Sequence, residues 1–406
     1  MQTTSQECDL VIVGGGIVGA TLAAALKNSG LSVIVIELLS FDRAAARERA
    51  YALSPLSGQI FQSIGIWQDI FPHIGKYRQI HLSDADDPKI VKFKTVDLDR
   101  EFLGYVAEHK TVLQSLQKYL DRSTNVKWLC PAKICGVTYG SSDAIVEVEV
   151  AGQKQQLRTK LVVGADGVRS QVRHLAGIET KGWKYWQSCL TFTIKHQAPR
   201  NDIAFERFWP DGPMAVLPLP GNRCHIVWTA PHAKAEAIQK LDEREFLTQL
   251  EYYTGGLLGK LELISEPLLF PVELFQSRHY VRSRLALIGD AAHRCHPLGG
   301  QGLNLGIRDA AALAQVLLEA DRLGEDIGDR SVLNRYEHWR KRENFTILGF
   351  TDFLDRIFSN NWLPALIFRR FVLWLLRTFS PLRIFVLELM TGLKGRTPQT
   401  KILQKI

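Results

Sequence analysis

Gly14, Gly16 and Gly19 stand directly after the apolar run DLVIV (9 to 13) and before an Ala/Leu-rich stretch from Ala20 to Asn28. That order reads as strand, tight turn and helix. In such a turn Gly14 permits the bend, Gly16 lets the backbone approach a pyrophosphate, and Gly19 lets helix and strand pack closely. The free amides of the helix then hold phosphate charge. Gly30 ends the helix and SVIVIE (32 to 37) forms the next buried strand, so residues 9 to 37 make one βαβ unit. Glu37, at the end of that second strand, is placed to accept from both hydroxyls of a ribose. The unit is built for a dinucleotide and does not by itself separate NAD from FAD.

Two further apolar runs end in Gly and Asp. LVVGADG (161 to 167) carries Asp166 and LALIGDAAH (285 to 293) carries Asp290, and both read as buried parallel strands with acids at their carboxyl ends. Behind the second comes Pro297 to Asn304, with glycines at 299, 300 and 302. Proline and three glycines let the backbone pass close to a flat ring. A helix beginning near Gln301 would aim its amides and positive end at that ring. Pro297, Gly300 and Gln301 are therefore the candidates for the face next to the chemistry, with no side chain assigned as acid or base. His293 and His296 share a loop without a third ligand, so a packing or hydrogen-bonding role is expected and no metal. No G-x-S-x-G occurs, and a Ser/His/Asp triad is not supported.

These residues need a sizeable scaffold. At 406 residues, 46% hydrophobic and 23% charged, the chain exceeds one ordinary core and is neither disordered nor a disulfide-stapled miniprotein. Six cysteines without C-x-x-C spacing point to free thiols in a reducing compartment, and no signal peptide is expected. Gln117 to Thr159 alternates in the manner of antiparallel strands, VEVEV at 146 to 150 most clearly. Residues 181 to 280 are rich in aromatic and β-branched residues, with turns at Pro210-Asp211-Gly212 and Pro220-Gly221-Asn222. They read as a mostly antiparallel domain inserted into the first, and Arg207 within it reads as a solvated strand arginine. Gln301 to Leu323 is a long Ala/Leu helix.

The net charge of +8 is unevenly placed: residues 352 to 406 hold nine Lys/Arg against three acids, leaving +2 for the rest. That asymmetry argues against nucleic acid and for one local partner such as anionic phospholipid. Trp362 to Phe379 is apolar round most of a helix, with Arg370 and Arg377 on one stripe and Arg369 flanking it. It suits an interfacial helix, the alternative being a buried helical pair. The expected location is cytoplasmic and peripheral to a membrane.

The run Gly164-Ala165-Asp166-Gly167-Val168-Arg169-Ser170 with Arg173, and Gly289-Asp290-Ala291-Ala292-His293 with Pro297 to Asn304, resemble two signatures of class A flavoprotein monooxygenases. All three motifs match that family in order and spacing over roughly residues 7 to 345. Arg49 to Ser54, Gly212 to Leu219 and Gly299 to Gly306 are similar to the branch that hydroxylates the polyprenylated ring in ubiquinone and plastoquinone biosynthesis. The resemblance implies an α/β fold of the p-hydroxybenzoate-hydroxylase type: a Rossmann-like FAD-binding domain (1–75, 101–180 and 281–345), an antiparallel substrate domain (76–100 and 181–280) and a C-terminal helical segment (346–406). It implies non-covalent FAD, NADH or NADPH as transient reductant, and oxygen transfer from O2 through a flavin C4a-hydroperoxide to a polyprenylated phenol or quinone precursor. By the same resemblance Asp290 holds the ribityl chain, Asp166 supports the cofactor, Arg49 meets the pyrophosphate, and Val137 lies beside the adenine. Lys110 stands where the family usually has Arg, and Gly302, Leu303 and Asn304 join the cofactor set. An isoprenoid reductase or epoxidase on the same scaffold, or a non-catalytic flavoprotein subunit of a quinone-biosynthesis complex, stays open, as does the oligomeric state.

Overall fold

In the computed structural model, which describes residues 5–84, 87 and 89–399, the strand Ser5–Val13 lies at the centre of a parallel arrangement. It pairs with Val33–Ile36 on one side and with Gln153–Gly164 on the other. Leu10, Val11 and Ile12 are fully buried, because helices cover one face and further strands the other, so the run is continuously apolar. The spatial order of this sheet is Val281–Arg282, Leu285–Leu287, Gln153–Gly164, Ser5–Val13, Val33–Ile36, Val126–Leu129. Ala132–Tyr139 and Ala144–Val150 add an antiparallel flap. All three strands that carry motif residues thus end at one edge.

The helix Ile17–Ala25 packs on the helix Gln301–Arg322. Ala310, Ala311, Ala312 and Ala314 are fully buried, and side chains this small let the helix pack closely on its neighbours. The long helix ends within a residue of its expected end. Sequence alternation misplaces one segment: Gln117 to Leu120 belong to the helix His109–Leu120, where Leu113, Leu116 and Leu120 recur at helical spacing. Strand alternation starts only at Val126.

A second sheet has nine strands. Its hairpins Ile203–Trp209, Gly212–Leu219 and Arg223–Pro231 turn at the two expected Pro/Gly signals. Ile203–Trp209 also pairs in parallel with Gln79–Asp84, a strand from far upstream. A small sheet of Ala50–Leu53, Gly104–Glu108 and Gly75–Tyr77 is wedged against the nine-stranded one. Gly75 fits there because a Cβ would sit 1.9 Å from the Pro218 carbonyl.

After the helix Arg330–Phe358 come two shorter ones, Leu363–Thr378 and Ser380–Thr391. Their arginines do not all face outward. Arg369 is 1% exposed and bonds through Nε to Asp84 at 3.0 Å, and Arg383 bonds to Asp97 at 2.8 Å. These pairs pin the helices to the strand Gln79–Asp84 and to the turn Thr95–Asp97, so Arg369 turns inward instead of flanking a lipid-facing stripe. Leu373 and Leu376 turn inward with it, while Trp362, Leu363, Ile367, Phe368, Phe371 and Trp374 are exposed. The pair is therefore neither a detachable appendage nor a wholly buried element. Without the residues after Thr351 the buried cluster beside the nine-stranded sheet would lose Phe358, Leu373, Leu376 and Leu387. No helix among the described residues is long and apolar enough to cross a membrane. All six cysteines are free thiols.

Candidate active site

The turn after Ser5–Val13 is built as its glycines require. Gly14 has φ +104°, and a Cβ on Gly19 would lie 1.9 Å from the Gly14 carbonyl oxygen. Gly16 differs: a Cβ there would meet nothing within 4 Å. It would project into a cavity of about 320 Å³ that Gly16 shares with Arg49, Asp290, Pro297, Gly300 and Leu303. Glu37 braces the turn, accepting from Gly15 N–H at 2.7 Å and Leu39 N–H at 3.0 Å. Arg49 stacks over Phe270 at the cavity wall.

Asp290 lines the same cavity, and among the described residues no donor bonds to its carboxylate. Burial pushes its carboxyl up, against the pull of Arg294, His293 and Arg49. Opposite, Gly300 adopts φ +61° as N-cap of Gln301–Arg322, and a Cβ there would press within 2.9 Å of Ala52. The first amides of that helix have no partner inside it, and Gly302 and Leu303 border the cavity. A backbone cradle, a helix N-terminus, an arginine and an unpaired acid together suit FAD: anion at the glycine turn, ribityl hydroxyls at Asp290, and an electron-accepting ring at the Pro297 loop.

Several expected residues do other work. Lys110 is exposed and lines neither cavity. Its neighbour His109 points inward instead, with Nε2 3.0 Å from the Ala44 carbonyl, and burial lowers its pKa to about 4. Val137 is half-buried, pairs with Val146 and lies outside the lining. Asp166 caps the short helix Gln171–Leu175 through Oδ2, accepting from Gln171 N–H at 2.7 Å and Val172 N–H at 3.2 Å. Its Oδ1 is buried without a partner among the described residues.

Asn304 has no capacity left for a ligand. Its Oδ1 accepts from Ser54 N–H at 2.8 Å and the Ser57 hydroxyl at 2.7 Å, and its amide donates to the Ala52 and Gly300 carbonyls. Its side chain clamps the loop. Gln301 donates to the Gly299 and Met390 carbonyls, both at 3.0 Å, tying the loop to Ser380–Thr391. His293 bonds to Asp309 at 2.6 Å, and His296 approaches Gln187 Oε1 at 3.2 Å. Both are structural, and no metal-ligand cluster exists among the described residues.

A second cavity of about 240 Å³ adjoins the first, and Ala52, Leu217, Val227, Pro297 and Gly300 border both. Its wall is almost wholly apolar, with Leu82, Phe93 and Phe208 from the sheet side and Phe358, Leu376 and Val386 from the C-terminal helices. One carboxylate lines it, that of Glu206. Burial raises Glu206 to about 8, and the Gly299 N–H opposes that rise. Sequence reasoning overlooked it and weighed Arg207, which lines neither cavity and lies against Trp209. A signal was present, because Ala204 and Phe208 are buried and Glu206 shares their face by strand periodicity.

Comparison with known proteins agrees with this geometry. Residues 7–348 match the family model described as FAD binding domain. The chain is 52% identical to an uncharacterized protein of Synechocystis sp., over 98% of this chain and 96% of that one. It is 35% identical to the ubiquinone hydroxylase of Rhodospirillum rubrum, over 95% and 90% of the two chains. The crystal structure of p-nitrophenol 4-monooxygenase from Pseudomonas putida superposes with TM-score 0.82 at 20% identity, covering 96% of this chain and 99% of that one, which shows the shared fold. The chain belongs to the FAD-dependent aromatic monooxygenases, in the branch that contains the ubiquinone-biosynthesis hydroxylases.

Proposed function

We propose that the protein hydroxylates the aromatic ring of a polyprenylated phenol, a quinone precursor, with O2 as oxygen source and NADH or NADPH as transient reductant. The observation that carries this reading is the junction of the two cavities at Ala52, Leu217, Val227, Pro297 and Gly300. One cavity has the donors and the acid for a dinucleotide, and the other has the apolar wall for an isoprenoid-bearing ring. Bound FAD would accept hydride, activate O2 and supply the oxygen atom at that junction.

The chain's own residues bind, orient and exclude water. Gly16, Arg49 and Asp290 would hold the cofactor, and Gly300 with the amides after it would face the ring where charge accumulates on reduction. Asn304 and Gln301 fix that loop by the bonds described, so the face is set before substrate arrives. The C-terminal helices close the apolar cavity against water. We assign the parallel sheet and its helices to the cofactor and the nine-stranded sheet to the substrate.

The same helices suit a membrane surface. Their inner faces wall the cavity while Phe368, Phe371 and Trp374 are exposed outside, beside Arg370. Docking on an anionic leaflet would bring a prenyl tail from the bilayer to the cavity over a short path. FAD-loaded protein given ¹⁸O2, NAD(P)H and a prenylated phenol should yield product heavier by one ¹⁸O on the ring. A product carrying two extra hydrogens, or no product at all, would overturn the reading.

A further inference from the structure

Within the proposed reaction, which this inference rests on, we propose that Glu206 is the proton acceptor for the substrate's phenol hydroxyl. Its strand, Ile203–Trp209, runs between Gly212–Leu219 and Gln79–Asp84, so its main chain is fixed from both sides by paired backbone. It opens into the apolar cavity, and the Gly299 N–H of the flavin-face loop reaches it. Gly300, the next residue of that loop, borders the place where the cavities join. The acid thus stands on the wall of the apolar cavity beside the loop that leads to the cofactor side.

No charged side chain neutralises Glu206 from the elements packed against it, among the described residues. Gly212–Leu219 contributes Ala215 and Leu217, the long C-terminal helix contributes Phe350, Phe353 and Leu354, and the loop contributes backbone. Titratable groups near it include Tyr77, on the cavity wall, and Cys189, on the strand Thr180–His196 of the same sheet. Burial pushes Tyr77 far up and Cys189 up to about 12, so neither ionises near neutrality. His225 and His296, held low by burial at about 4 and about 3, are neutral there as well. Arg49 and Arg294 line the cofactor cavity. An acid with no ion-pair partner in an apolar chamber is not explained by stability, since burying it is unfavourable.

A phenol loses its proton near pH 10 in water, so an acceptor poised near 8 is well matched to it. The phenol O–H bond breaks and the proton passes to Glu206, leaving an electron pair that enriches the ring carbons. One of these carbons would then take one oxygen atom of O2, the chemistry that bound FAD would supply, with NAD(P)H providing the two electrons that take the other oxygen atom to water. That carbon then sheds its hydrogen to solvent, and Glu206 returns its proton to the ring oxygen.

The test uses the full FAD-loaded chain and a geranyl-substituted phenol. Glu206→Gln should keep its flavin content and melting temperature yet transfer ¹⁸O about 10² to 10⁴ times more slowly. The wild-type rate should rise with pH through an inflection near 8, which Glu206→Gln loses and Glu206→Asp retains. Infrared difference spectra read the group without turnover. Wild type minus Glu206→Gln should show a carboxylic-acid carbonyl band that titrates near 8 and shifts when the phenol binds. Unchanged rate and pH profile in folded, flavin-loaded Glu206→Gln overturns the proposal. If that variant does not fold, the comparison moves to Glu206→Asp, and a band unmoved by phenol overturns it equally. Absence of ¹⁸O transfer by wild type would instead refute the reaction assignment, which the infrared titration does not depend on.

Discussion

Replacing Gly16 and Gly19 separately by alanine should divide cofactor binding from folding. The Gly16 backbone, at φ −66° and ψ −179°, suits alanine, and its Cβ would meet nothing within 4 Å. Alanine restricts the unfolded chain, worth about 0.4–1 kcal/mol, and is a poorer N-cap by a similar amount. Apoprotein stability should therefore change by less than ~1 kcal/mol. The methyl group does, however, occupy the cradle, and losing one charge-assisted hydrogen bond to phosphate costs about 1.5–3 kcal/mol, or roughly tenfold to a hundredfold in FAD affinity. Gly19 behaves oppositely. Its Cβ would lie 1.9 Å from the Gly14 carbonyl, against a floor of 3.0 Å for real contacts, so the helix must back away by about 1.1 Å. Overpacking of that kind costs roughly 1–3 kcal/mol, and apoprotein stability should fall accordingly. Thermal melts of the two apoproteins and titration with FAD by fluorescence quenching make the comparison. Gly16→Ala binding FAD as tightly as wild type, or melting as low as Gly19→Ala, would refute the placement of the pyrophosphate.

Asp290→Ala should weaken FAD roughly tenfold to a hundredfold by removing a charged acceptor, read by the same titration. Asp309 accepts from Arg340, Asn344 and Gly289 and contacts His293. Burial works against its ionised form, but His293 and Arg340 outweigh it and hold the carboxyl well below the usual range. Its contribution is therefore full above about pH 4 and lost as pH falls toward the depressed value. Asp309→Asn should cost about 1.5–3 kcal/mol at pH 7, because buried Arg340 loses a charged acceptor and keeps only Glu343 as counter-ion, and should flatten the acid limb of urea midpoints measured from pH 7 to 3. Arg369→Ala should likewise loosen Leu363–Thr378, giving early proteolytic cleavage there, whereas half-exposed Arg370→Ala should change stability by less than ~1 kcal/mol. Phe371→Ser with Trp374→Ser should abolish flotation with anionic vesicles while leaving flavin content intact, and loss of flavin would contradict a purely external role.

The cofactor side was legible because its instructions are local. Gly14, Gly16 and Gly19 act within one turn, and the strands ending at Asp166 and Asp290 are contiguous apolar runs. What escaped depends on direction or on distant partners. Lys110 and His109 are adjacent, yet about 100° separates neighbours on a helix, so one faces solvent and the other the interior. The Asn304 side chain is spent on four bonds to Ser54, Ser57, Ala52 and Gly300, three of them to residues some 250 positions upstream, which no local pattern announces. Arg369 meets Asp84 across 285 residues, and no local pattern announces such a pair. Glu206 was visible in principle, as an acid on the buried face of a strand, but its meaning requires the cavity that the C-terminal helices complete.

The central claim is that a cofactor cavity and an isoprenoid cavity meet at Pro297 and Gly300. A crystal structure of the FAD-loaded chain with a geranyl-substituted phenol tests it most directly. The account predicts the flavin ring against Pro297 to Leu303, the phenol ring between Ala52 and Leu217 with its hydroxyl toward Glu206, and the prenyl tail running past Phe208 toward Leu376 and Val386. A phenol bound outside the apolar cavity, or a flavin lying away from the Pro297 loop, would contradict it.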